Sequence, residues 1–398
     1  MGERDSDRMS LAARLRQDDL LGRVILNSAH LFSSNSVSLV LSFIQGILAA
    51  RLLGLTDYGL VVIVMAYAST INGLFSFRMS ELVVRYAGEY LEKGETERGA
   101  ALIKAAGLTE AAVSALAFAL VAITAGLATR YVTKTPGTEW MIIIYSLGLL
   151  TNFNTETSTG ILQITDKVRL RGVVILGQSI LSATIILAAF LLRGSASPLH
   201  VASLPIVLGA YLAGKTVLGL GLFLAAQIQL RHRLGRGWSH APLSVLPSAR
   251  ELLRFAFSSN LSATAILIFR ESELLWVGFF LNKEAAGLYK NAYTLVSFLS
   301  VPADPLILAV YPEVNRLIVQ KAWPRLRAFL RNVTTLALAY NALLAGALIV
   351  FGHWVLSIYG DQFVAAYPAM VVLVIGLAFI VQIIWSFFSV EIRHQMRR

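Results

Sequence analysis

Ten apolar runs, each about as long as a bilayer is thick, limit what this chain can fold into. They fall at about 27–50, 57–77, 105–128, 139–161, 172–192, 203–228, 252–280, 286–311, 332–352 and 364–390. A helix crossing the hydrocarbon layer needs roughly 20 such residues, because lipid leaves every peptide group to be satisfied within the protein. Membrane β-strands need only about ten alternating residues, so runs of this length predict helices and exclude a barrel. The chain is 56% hydrophobic and only 14% charged, against about 25% charged in ordinary soluble domains. No single core could absorb that apolar surface, and lipid is the expected solvent. The expected class is an all-α polytopic membrane protein.

The net charge of +11 suggests a nucleic-acid partner only until the charges are placed on the connections. Arg4, Arg8, Arg14, Arg16 and Arg23 precede the first run, and Arg78, Arg85, Lys93, Arg98 and Lys104 follow the second. Further groups lie at 167–171, 231–254, 316–331 and 393–398, whereas the alternate connections hold only Arg51, Arg130, Lys134, Arg193 and Lys283. By the positive-inside rule the basic connections and both termini are cytoplasmic. The charge is then topology, and no nucleic-acid role is expected. Residues 1–26 form an expected cytoplasmic tail whose mixed charges and missing apolar stretch do not make a cleavable signal.

The tetrapeptide Phe-Ser-Ser-Asn occurs at Phe32–Asn35 and again at Phe257–Asn260, each opening a long run. A leucine-led turn follows each copy, Leu53 to Leu60 in the first and Leu281 to Leu288 in the second, both ending Gly-Leu. Duplication in a polytopic chain points to two bundles related by a pseudo-twofold axis. The Gly-, Pro- and Arg-rich segment 229–251 is the expected cytoplasmic linker between a six-helix bundle at 27–228 and a second bundle at 252–398 with four helices. The eighth run is interrupted by Val301-Pro302-Ala303-Asp304-Pro305. Such a break is tolerated in a packed bundle or beside a cavity.

The two matched segments resemble the polysaccharide-biosynthesis, or oligosaccharide flippase, family of the multidrug/oligosaccharidyl-lipid/polysaccharide superfamily. The first half carries Asn35, Ala50-Arg-Leu-Leu-Gly-Leu-Thr-Asp-Tyr-Gly59-Leu60 and Val83-Val-Arg-Tyr-Ala87; the second carries Asn260, Ala286-Gly-Leu-Tyr289 and Val310-Tyr-Pro-Glu-Val-Asn-Arg316. The resemblance implies two six-helix bundles around a central cavity in the cytoplasmic membrane. It also implies an isoprenoid-diphosphate-linked glycan as cargo. The chain departs from the pattern where its second half stops after four runs, at Glu391–Arg398, so a shortened form or a fragment is expected.

Moving a diphosphate and a glycan through lipid requires a hydrated cavity and fixed cations. Arginine suits the diphosphate, because its planar fork donates to two oxygens at once. Arg270 lies mid-run, with Glu273 three residues on and Glu271 about 100° away round the helix. The group reads either as a cavity cation beside proton-exchanging carboxylates or as a static ion pair. Lys290 either faces the cavity or snorkels outward. Lys215 either meets substrate or pairs with an acid such as Glu156. Arg78 and Arg85 either receive the headgroup at the inner mouth or form a solvated face with Glu81. Asn35 and Asn260 bind sugar or clamp helices, and Asp304 binds a coupling ion or caps a broken helix.

The chain has no cysteine and only six histidines. The histidines are scattered without a pair at ligand spacing, so no metal site is expected. No Gly-x-x-x-x-Gly-Lys-Ser/Thr loop is present, so no nucleotide and no other cofactor is expected. A proton or sodium gradient, or removal of cargo outside, is the expected energy source, with Glu273, Glu271 and Asp304 as coupling groups. Membrane lipids are expected neighbours, and a glycan polymerase or glycosyltransferases are expected partners. A drug/cation antiporter and a peptidoglycan-precursor flippase are the near alternatives, and an inactive paralogue is another. A membrane glycosyltransferase or polymerase is disfavoured by the short outward connections.

Overall fold

The computed structural model describes residues 19–75, 78–192, 203–246, 272–300, 310, 314, 316–318 and 320–376, with side chains from 37 onward. Every regular element among these residues is helical. The first two runs are one helical stretch, α1 (Asp19–Phe75), broken only at Gly54, where φ is 74° and ψ is 176°. A side chain would clash with the backbone there, and glycine has none. A single residue thus replaces the longer turn that the sequence suggests.

α2 continues from Met79–Leu82 through a π-helical turn, Val83–Ala87, to Gly88–Glu92. Gly94, at φ 79°, ends it. α3 (Thr96–Ala128) follows, with a π-turn at Thr129–Thr133. The fourth run is two helices, α4 (Glu139–Thr151) and α5 (Thr155–Ile164). α6 (Val168–Leu192) and α7 (Ser203–Leu234) complete this part. α8 covers 272–280, α9 is Lys283–Ser297, α10 is Trp323–Ser357 and α11 covers 367–376. Asn282 caps α9, its side chain accepting from the Ala285 N–H at 2.8 Å.

Among the described residues, five helical stretches are long and apolar enough to cross a membrane: Val37–Glu92, Thr96–Thr133, Val168–Leu192, Ser203–Leu234 and Trp323–Ser357. None of the most apolar window of Trp323–Ser357 is buried within the protein, as expected of a helix whose solvent is lipid.

The chain forms two compact units. One comprises Met1–Gln45, Val64–Tyr131 and Thr135–Glu273; the other comprises Gly46–Ile63, Val132–Lys134 and Leu274–Arg398. The segment around Gly54 therefore packs with the second half of the sequence. In the first unit α7 crosses its neighbours closely: a Cβ on Gly219 would lie 2.1 Å from the Thr151 carbonyl oxygen. Small residues at such crossings let backbones approach without a hydrophobic driving force. α2 joins α3, α5 and α7 in a core of Leu82, Val83, Leu102, Ile103, Ile161 and Leu230. The start of the linker is docked too. Ala241 is buried with Ala100 and Ala101, and Lys104 Nζ donates to the Ala241 carbonyl at 3.3 Å.

Candidate functional site: a polar cavity at the break in the fourth span

The break at Asn152–Asn154 sits in sequence that reads as continuous apolar helix. Asn152 opens it. Its Nδ2 donates to the Gly148 carbonyl at 2.7 Å and to the Lys215 carbonyl at 3.1 Å. α5 then begins with peptide N–H groups that have no intrahelical acceptor. Glu110, from mid-α3, supplies one: its carboxylate accepts from the Glu156 N–H at 2.8 Å and the Thr157 N–H at 2.9 Å. A carboxylate at a helix N-terminus gains both charge-assisted hydrogen bonds and the favourable end of the helix dipole.

Beside this cap lies a cavity of about 210 Å³. Asn72 and Phe75 reach it from α1, Glu110 and Ser114 from α3, Asn152 from the break, Glu156 from α5 and Lys215 from α7. Gly148 makes room for the lysine stem, since a Cβ there would be 3.3 Å from Lys215 Cδ. The ammonium sits 4.7 Å from the centre of the Tyr145 ring, a cation–π contact worth about 2 kcal/mol when desolvated. Glu156 is held separately, accepting from Ser80 Oγ at 2.5 Å. Lys215 and Glu156 share the cavity without forming an ion pair. Two carboxylates, an ammonium and two amides in one small volume can order water, hold a cation or receive a polar headgroup.

Of the described candidates, Lys215 alone lines this cavity. Arg78 is exposed and paired with Glu81 at 2.5 Å. Arg85 is exposed, over the Tyr86 ring at 5.5 Å. Lys290 is half-buried on α9, and Glu273 is exposed on α8. Asn35 lies in the backbone-only part of α1. Asn260, Arg270, Glu271 and Asp304 lie outside the described residues. Among the described residues no His, Cys, Asp and Glu cluster could hold a metal. Sequence reasoning missed Glu110 and Asn152. Their signals were present: a lone acid inside the third run, and Asn152-Phe-Asn154 inside the fourth.

Long apolar helices around such a polar cavity define a polytopic membrane protein. Two solved structures share the fold. One is titled an inward-facing conformation of a multidrug resistance MATE family transporter of the MOP superfamily; it has TM-score 0.62 and 12% identity over 84% of this chain and 76% of that one. The other is titled MATE in the bent conformation, with TM-score 0.52 and 12% identity over 92% and 80%. Within that class the chain belongs to the family described as "Polysaccharide biosynthesis protein", matched over residues 24–317. It is also 26% identical over 360 residues to inner membrane protein YghQ of Escherichia coli (strain K12), across 88% of this chain and 96% of that protein.

Proposed function

We propose that this protein flips an isoprenoid-diphosphate-linked oligosaccharide across the cytoplasmic membrane for cell-surface polysaccharide synthesis. The family match over 24–317 carries the reading. The polar cavity at Lys215, Asn72 and Asn152 supports it, since polar groups inside lipid-embedded bundles are expensive and mark a path. The two halves rock in alternating access. Glycan and diphosphate pass through hydrated space while the isoprenoid stays in lipid. Arg270, with Lys290 and Lys215, receives the diphosphate; Asn35 and Asn260 contact sugar; Arg78 and Arg85 meet the headgroup at the cytoplasmic mouth. Proton or sodium coupling runs through Glu273, Glu271 and Asp304. A glycan polymerase or glycosyltransferases act beside it.

A second reading is a drug/cation antiporter, because Glu110, Glu156 and Phe75 give the cavity acidic and aromatic lining. Complementation separates the two. The chain and its Arg270→Ala variant are placed in cells lacking their own oligosaccharide flippase, and surface glycan is assayed. Restoration by the intact chain alone is expected. Membrane-inserted protein that restores no glycan but confers efflux of a cationic dye would favour the antiporter.

A further inference from the structure

The hydrogen-bond inventory of the cavity at the fourth-span break is unbalanced. Ser114 lines it from α3 and is 7% exposed, and its hydroxyl has no partner among the described residues. Asn72 reaches it from α1, and its side chain makes no hydrogen bond among those residues either. The Lys215 ammonium meets the Tyr145 ring at 4.7 Å and no hydrogen-bond acceptor among them. A buried donor left unsatisfied costs free energy until something accepts from it. The carboxylates are placed to accept in turn. Each offers about four acceptor sites, so Glu110 and Glu156 keep lone pairs after accepting from the Glu156 and Thr157 N–H groups and from Ser80 Oγ. Free donors and free lone pairs thus face one space, all within the first unit.

Charge narrows what that space can hold. A cation there meets the Lys215 ammonium, and an anion meets Glu110 and Glu156. Like charges brought together away from bulk water repel strongly. An uncharged group carrying several hydroxyls satisfies both sets of partners. The apolar part of the lining, Phe75, Val113, Leu149 and Leu218, suits the C–H faces of such a group. At about 210 Å³ the cavity falls below the roughly 300–1,000 Å³ of pockets for drug-sized ligands, so it admits one ring and not a chain of rings. Asn72 is exposed, which leaves the cavity open at that corner.

We propose that this cavity is a subsite for one uncharged sugar residue of the cargo, with Ser114 and Asn72 as its specificity-determining contacts. Their donors and the lone pairs of Glu156 read the hydroxyl pattern. The carboxylates reject acidic sugars, and the ammonium rejects amino sugars. Lys215 has three N–H donors and keeps one for the diphosphate. A site built to hydrogen-bond a hydroxyl rejects the analogue without it far more sharply than an apolar pocket discriminates by size. The proposal rests on the flippase reading for its cargo.

The cysteine-free sequence makes the test direct. Leu218→Cys places a thiol in the cavity wall of the full chain, purified in detergent, and Val113→Cys gives a second reporter. The rate of labelling by a small methanethiosulfonate is followed with glucose, galactose or mannose, their uronic acids, their amino sugars, or tetraethylammonium. A site with a Kd of about 10 mM is about nine-tenths filled at about 100 mM, so labelling should slow about tenfold with at least one neutral hexose. The charged sugars and tetraethylammonium should leave the rate within about twofold. Ser114→Ala and Asn72→Ala should each cut the protection to about threefold or less. Charged sugars that protect as well as their neutral parents would overturn the proposal. So would protection by none of the hexoses, protection that neither substitution weakens, or thiols that the reagent never reaches. Protection by tetraethylammonium alone would overturn it and favour the antiporter. Protection as expected, in a chain that restores no glycan in cells, would refute the flippase reading and leave the sugar site standing. Restored glycan with no protection would do the reverse.

Discussion

At the break in the fourth span, the polar groups that the helix releases are taken up by its neighbours. Glu110 accepts the Glu156 and Thr157 N–H groups, Ser80 donates to Glu156, and Asn152 bridges two carbonyls. At the Gly59–Gly287 crossing of α1 with α9, the Tyr58 hydroxyl donates to Asn291 Oδ1 at 2.8 Å, and Asn291 is buried. Both regions bring helices within backbone contact through glycine, Gly219 against Thr151 in one and Gly59 against Lys283 in the other. They differ in what fills the contact: hydrogen-bonded polar side chains beside the first, and backbone lying directly against backbone in the second.

The largest effect that would test this contrast comes from filling the crossing. Gly59→Leu drives a side chain into the Lys283 carbonyl, where a Cβ already falls at 1.9 Å. It should cost at least the about 1–3 kcal/mol typical of overpacking, read as lowered thermal stability of the detergent-purified protein. Glu110→Ala comes next. It removes the cap of α5 and should cost about 1–2 kcal/mol, with faster amide hydrogen exchange confined to the first turn of α5. Glu110→Gln, which keeps one acceptor, should recover part of the loss; equal losses in both variants would mean that the cap is not what holds the break. A double-mutant cycle of Lys215→Met with Tyr145→Leu should then show coupling of about 0.5–2 kcal/mol. Zero coupling would leave Lys215 to be explained by the cavity alone. The smallest effect is expected of Arg78→Gln. Its ion pair with Glu81 is half-exposed, and unfolding should shift by no more than about 0.5 kcal/mol.

Sequence length and hydropathy located the long helices, because spanning lipid imposes a length that few other contexts do. The broken fourth span was hidden for the same reason. Leu149, Leu150 and Phe153 keep the run apolar across the break, and the carboxylate that stabilises it comes from Glu110, far away in sequence. Lys215 was legible as a charge within an apolar run, but its ring partner Tyr145 was not, since aromatic residues are common in such runs. The repeat itself was visible as matched turns. That its two glycines touch is a property of the axis, and no single turn encodes an axis.

The docked linker has a mechanical consequence. The backbone reaches Leu246 as part of the first unit, and Ala241 is held among Ala100, Ala101 and the Lys104 ammonium. Tension arriving along the chain from beyond Leu246 is therefore delivered to the foot of α3 as well as to the end of α7, whose Leu234 packs in the same cluster. Lys104 and Glu110 are six residues apart on that helix, or about 9 Å along its axis. One handle by which this unit can be pulled is thus the helix whose carboxylate caps the break in the fourth span.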